Sequence, residues 1–100
     1  MTVVVIGSMR FPADAMANVR PHLATLVAET RTHDGCVEYN AAEDIGDPGL
    51  VRFSEIWPSH DLLTAHLQAP HIAPWRAVAA RYGVSDRTFT AFDASNPREV

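Results

Sequence analysis

Apolar positions along the chain switch between the period of a strand and that of a helix, and each switch marks an element. Val3 to Met9 is β-branched and almost continuously apolar, which predicts a central first strand buried on both faces. Phe11-Pro12-Ala13-Asp14 then turns into a helix with Asp14 as the N-cap, and Met16, Val19, Leu23, Leu26 and Val27 form its core stripe. Pro21 falls inside that stripe, where it removes an amide donor and crowds the preceding turn, so a kink or a restart is expected there. Asp34-Gly35 is a C-terminal stop, followed by a second strand from Cys36 to Glu43 around Val37 and Tyr39.

The cluster Asp44-Ile45-Gly46-Asp47-Pro48-Gly49 is the strongest turn signal in the chain, so residues 36–57 form a β-hairpin returning through Leu50 to Trp57. Strand alternation puts Val51, Phe53, Glu55 and Trp57 on one face of that strand, so Glu55 and Trp57 point the same way. Ser59 as N-cap and Asp61 in the first turn open a short helix whose Leu62, Leu63, His66 and Leu67 share an inward face. Pro70 ends it. A further helix carries Ile72, Trp75, Ala79 and Tyr82 to Gly83, with Pro74 tolerable only near its start, and Val84 to Asp93 is the last strand.

The order β-α-β-β-α-β, its last helical region broken in two, predicts an α+β fold of ferredoxin-like plan. Such a fold is an antiparallel four-stranded sheet with helices on one face. The other face must then be solvated or covered, and a symmetric dimer of facing sheets covers it most simply. Residues 1–93 make one domain, and the polar stretch 94–100 is expected to be an extended tail that lies on a partner subunit.

Composition narrows the function classes. The chain has 100 residues and is 47% hydrophobic, enough for a single core. Basic residues number 8 against 12 acidic, and no basic stripe follows a helical period, so nucleic acid is excluded as a partner. A single cysteine, Cys36, excludes an internal disulfide framework and a Cys-rich zinc site and points to a reducing compartment. The apolar run at residues 2–7 lacks the flanks of a signal peptide, and no stretch approaches the roughly 20 apolar residues of a membrane span. A soluble, cytoplasmic protein without a membrane partner is expected.

Chemistry concentrates in residues 35–75, which hold a carboxylate, two histidines, a tyrosine and an indole able to move protons or stack on a flat organic molecule. Gly35-Cys36 with Tyr39, the Asp47-Pro48 turn, Glu55-x-Trp57, and Ala65-His66-Leu67 with Pro70-His71 resemble the antibiotic biosynthesis monooxygenase domain family, most closely its quinol monooxygenase-like subgroup. The resemblance implies a homodimer of ferredoxin-like subunits, the dimeric α+β barrel, each subunit with a cavity between sheet and helices. It also implies oxidation of a small aromatic quinol or phenolic polyketide by dioxygen, without metal, flavin or other cofactor.

Such a site must remove a phenolic proton and exclude water, which takes a base with a pKa near the working pH, a partner to orient it and an aromatic wall. His66 or His71 is the candidate base, Glu55 the orienting or charge-balancing group, and Trp57, Tyr39, Trp75 and Phe89 the wall that binds substrate. Each has a plainer reading beside it. Glu55 can simply pair with Arg52 or Arg87, His66 can be a core histidine, His71 an exposed residue at a helix start, and the aromatics core packing. His22, His33 and His60 are assigned to solvent.

Glu55, His66 and His71 have the composition of a two-histidine, one-carboxylate iron site, but the histidines are five apart across a proline break rather than on one helical face. Haem is disfavoured because the family's haem degraders place a tryptophan about where His66 stands and a histidine near Arg76. No nucleophile elbow or phosphate-cradling glycine loop is present. An isomerase of the same family, and a small-ligand-binding dimer without chemistry, stand as alternatives. The binding module predicts a cavity lined only by apolar side chains, with Glu55 and His66 bonded to each other or to backbone and turned away from it.

Overall fold

A computed structural model describes residues 1–100. Its elements are β1 (Thr2–Arg10), α1 (Met16–His33) after a single 3-10 turn at Ala13–Ala15, β2 (Glu38–Glu43), β3 (Leu50–Trp57), α2 (His60–Leu67), α3 (Ile72–Arg81) and β4 (Ser85–Ala94). The strands form one sheet in the order β2-β3-β1-β4, every pair antiparallel. The α+β ferredoxin-like plan expected from the element order is the observed one. Residues 95–100 follow β4 without regular structure and are exposed.

The helices lie against one face of the sheet. Val3, Val5 and Met9 of β1, Tyr39 of β2, and Val51, Phe53 and Trp57 of β3 are buried under Met16, Val19, Leu23 and Leu26 of α1 and Ile72, Trp75 and Ala79 of α3. The other face is open, which corrects the expectation that β1 is buried on both sides. Burial along β1 alternates, and Ile6 is 54% exposed next to Phe92 of β4 at 53%. β1 is central in the sheet, but only one layer of helices covers it.

Three further expectations change. Pro21 neither kinks nor restarts α1, which runs unbroken over 18 residues. Its ring is on the exposed side, where water can satisfy the carbonyl that lost its partner. Asp14 is not a cap; it sits inside the 3-10 turn, and α1 starts with no side-chain cap because that turn already feeds it. Of the stripe expected on α2, only His66 is buried, while Leu62 and Leu67 are 36% and 42% exposed. The Ser59 cap is present, its Oγ accepting from the Leu62 amide at 3.2 Å, and Pro74 occupies the first turn of α3. No helix is long and apolar enough to cross a membrane.

The β2–β3 turn locks onto the start of the helical layer through Gly49. The Phe11 amide donates to the Gly49 carbonyl at 2.9 Å, Gly49 has φ +91°, and a Cβ there would stand 2.2 Å from the Phe11 carbonyl oxygen. Gly49→Ala therefore combines left-handed strain with a backbone clash and is expected to lower stability in urea titrations by about 1–3 kcal/mol. Gly46→Ala, whose nearest neighbour is an Asp44 carboxylate oxygen at 3.5 Å, should lower it far less. Equal losses in the two variants would contradict this account of the turn.

Candidate functional site

A cavity of about 300 Å³ lies between the sheet and the α2–α3 pair. Its floor follows from register. Tyr39 faces Glu55, Glu55 faces Val5 and Val5 faces Ala91, so these four side chains cross the sheet in one row on the helix side. The neighbouring row is Phe53, Gly7 and Phe89. Gly7 is there because the Phe89 ring lies over it: a Cβ on Gly7 would stand 2.3 Å from Phe89 Cδ2. The ring of Phe89 packs against Phe53 at 5.2 Å between centroids, and Trp75 of α3 forms part of the opposite wall.

His66 enters from α2, its imidazole packed against the rings of Trp57 and Tyr39 at centroid distances of 4.8 and 5.3 Å. Its Nδ1 lies 2.6 Å from Oδ2 of Asp34, and the same oxygen lies 2.9 Å from Nε2 of His71. An ionised carboxylate only accepts, so both nitrogens carry hydrogen and donate to Asp34. That fixes Nε2 of neutral His66 as its unprotonated nitrogen. Thr30 Oγ1, 3.3 Å from His71 Nε2, closes the group from the side of α1.

Three polar atoms are left open to the cavity. No hydrogen bond reaches His66 Nε2, the second carboxylate oxygen of Glu55 or the Tyr39 hydroxyl, and no buried side-chain nitrogen or oxygen in the chain lacks a partner. All three residues line the cavity, so these atoms meet its space. Burial shifts each toward neutrality. It lowers the His66 pKa against the opposing pull of Asp34, raises that of Glu55 against its bond to Trp57, and raises that of Tyr39, with the nearby Glu55 adding to the effect. At neutral pH the cavity therefore offers a basic imidazole nitrogen, a hydroxyl that stays protonated and a carboxylate that protonates more easily than usual.

Of the residues singled out from the sequence, Glu55, His66, Tyr39, Trp75 and Phe89 line the cavity. Trp57 and His71 stand behind it. The Trp57 indole donates to Glu55 Oε1 at 2.8 Å and is fully buried, while His71 holds Asp34. Glu55 pairs with neither Arg52, which takes Asp44 at 2.8 Å, nor His66. The carboxylate that holds His66 is Asp34, part of the Asp34-Gly35 helix stop. One signal was available: a carboxylate at a helix C-terminus opposes the helix dipole and calls for a compensating partner.

Asp34, His66 and His71 are also the one group in the chain whose donor atoms, all within 4.8 Å of one another, have the composition of a metal site. Asp34 Oδ2 sits at hydrogen-bond distance from both nitrogens, closer than two ligands stand around one tetrahedral ion with bonds of about 2.0–2.2 Å. As arranged, the group is a carboxylate holding two imidazoles, and a metal would have to spread it apart.

The profile of the antibiotic biosynthesis monooxygenase family matches residues 2–78. Among solved structures, a candidate antibiotic biosynthesis monooxygenase from Deinococcus radiodurans is 26% identical, with a TM-score of 0.91 over 98% of this chain and 97% of its own. A second antibiotic biosynthesis monooxygenase is 28% identical, with a TM-score of 0.86 over 94% of this chain and 99% of its own. SnoaB from Streptomyces nogalater, described as a cofactor-independent oxygenase, shares the fold at 17% identity and a TM-score of 0.79, over 96% and 95% of the two chains. No curated protein matches.

Asp34 raises the His66 pKa against the larger effect of burial. Asp34→Asn removes the charge and keeps a side chain of the same shape, so the His66 titration midpoint followed by NMR should move further down. An unchanged or raised midpoint would contradict the assigned contact.

Proposed function

Since the chain belongs to the antibiotic biosynthesis monooxygenase family, we propose that it is a cofactor-independent monooxygenase that oxidises a small aromatic quinol or phenol with dioxygen. The observation that carries this reading is the open Nε2 of His66, held in its basic tautomer by Asp34 inside an aromatic cavity. The substrate ring lies between Trp75 and Phe89, and a phenolic hydroxyl donates to Nε2. His66 takes that proton. Asp34 stabilises the resulting imidazolium, and His71 keeps Asp34 in place. The phenolate left behind is electron-rich and reduces dioxygen, which the neutral phenol does poorly.

The other open atoms serve the same step. Tyr39, which stays protonated, donates to a substrate oxygen as negative charge builds on it. Glu55, fixed by Trp57, accepts from a second hydroxyl, which makes a quinol a better fit than a simple phenol. Trp57 and His71 thus act from behind the wall rather than on the ring. A purely apolar cavity with Glu55 and His66 turned away would have favoured a binding module, and the cavity is not of that kind. The relative described as a cofactor-independent oxygenase supports chemistry without a metal or flavin.

A homodimer belongs to the same reading. Val4, Ile6, Ile56 and Phe92 form an apolar patch on the sheet face opposite the helices, and a second copy facing it would remove that patch from water. Ile6→Asp would place a charge at its centre. Sedimentation velocity should show a dimer for the parent chain and a monomer for this variant, and a monomer in both would remove the dimer from the account.

Oxygen uptake with a naphthohydroquinone, no metal or flavin added, tests the chemistry. His66→Ala should lose about 10²–10⁴-fold in rate, the usual contribution of a general base. Because burial lowers the His66 pKa, its basic form persists below the ordinary histidine value of about 6.5, and activity should fall only as the pH drops through that lowered value. Unchanged turnover in His66→Ala would remove His66 from the mechanism.

A further inference from the structure

The cavity wall is polar in two places. One is the inner group of Tyr39, Glu55 and His66; the other is a pair of arginines, Arg76 of α3 and Arg87 of β4. Both arginines are exposed while lining the cavity, so they stand where it opens to solvent.

Five of the eight arginines take no carboxylate, and of these five only Arg76 and Arg87 line the cavity. Arg10, Arg20 and Arg52 each take a carboxylate, from Asp47, Glu43 and Asp44, at 2.7–2.8 Å. Arg76 and Arg87 take none, although acidic residues outnumber basic ones 12 to 8 in this chain. Each is nevertheless held in place. Arg76 Nη2 donates to the Leu67 carbonyl at the end of α2 at 3.3 Å, and the Arg87 guanidinium lies 4.4 Å from the centre of the Phe89 ring. Those contacts leave most of the guanidinium donors free, and arginine's planar fork suits a carboxylate.

Resting on the oxygenase reading of this cavity, we propose that its substrate is a phenolic aromatic acid whose carboxylate is bound by Arg76 and Arg87 at the mouth. The ring then lies against Phe89 and Trp75, with the hydroxyl turned inward to His66. The arrangement sets polarity as well as identity. A carboxylate held by the two arginines leaves the phenolic end to face Tyr39, Glu55 and His66. A volume of about 300 Å³ is at the lower end of the 300–1,000 Å³ of small-molecule sites, which favours an acid of one or two rings over a larger polyketide.

Naphthoate and naphthamide test this, because they share shape and differ in charge, and neither is a quinol. Isothermal titration calorimetry should show naphthoate binding about tenfold more tightly than naphthamide to the parent chain, the difference between a charge-assisted and a neutral contact. The preference should disappear in an Arg76→Gln, Arg87→Gln double variant. It should persist in Arg81→Gln, whose guanidinium stacks on Tyr82 outside the cavity. Equal affinity for the two probes, binding of neither, or a preference surviving in the double variant overturns the proposal. A protein that keeps the preference yet consumes no oxygen with any quinol retains this inference and loses the oxygenase reading.

Discussion

One carboxylate oxygen, Oδ2 of Asp34, ties together the parts of the chain that make the site. It lies at the C-terminal end of α1 and takes hydrogen bonds from His66 on α2 and from His71 just before α3, each more than thirty residues further along the chain. The contact is almost dry, with the Asp34 and His66 side chains 7% and 4% exposed. A carboxylate at that end of a helix is unfavourable by itself, and the two imidazole donors offset the cost. The same bonds that close the helical layer onto the sheet decide which nitrogen of His66 carries the proton.

The sheet supplies the rest by register. Glu55 is directly opposite Tyr39 and Val5, and Phe53 and Phe89 flank the bare backbone of Gly7, so polar and aromatic side chains fall in adjacent rows on one face. Desolvation then moves the acid and the base toward each other, Glu55 upward and His66 downward. A cavity built this way brings the proton affinities of a carboxylate and an imidazole closer together, a setting suited to acid–base chemistry on a phenol. Where it opens to solvent, Arg76 and Arg87, neither of them on a carboxylate, give it a charge of the opposite kind.

Local pattern revealed the fold well. The Asp44–Gly49 turn, the Ser59 cap and the alternation that pairs Glu55 with Trp57 all depend on neighbours a few residues away, and all are present. What the sequence hid depends on distant contacts. Asp34 meets His66 across 32 positions, and its one local sign, a carboxylate at a helix C-terminus, calls for a partner without identifying it. Gly7 reads as an ordinary strand position until the Phe89 ring is placed over it. Pro21 misled in the other direction, because whether a proline bends a helix turns on which side of the helix it faces.

The account rests on His66 presenting an unprotonated Nε2 to the cavity, and the nitrogen-15 shifts of its imidazole ring read that directly. At neutral pH the protein should show a protonated Nδ1 and a pyridine-like Nε2 for His66. A ring protonated at Nε2 instead, or at both nitrogens, would contradict it.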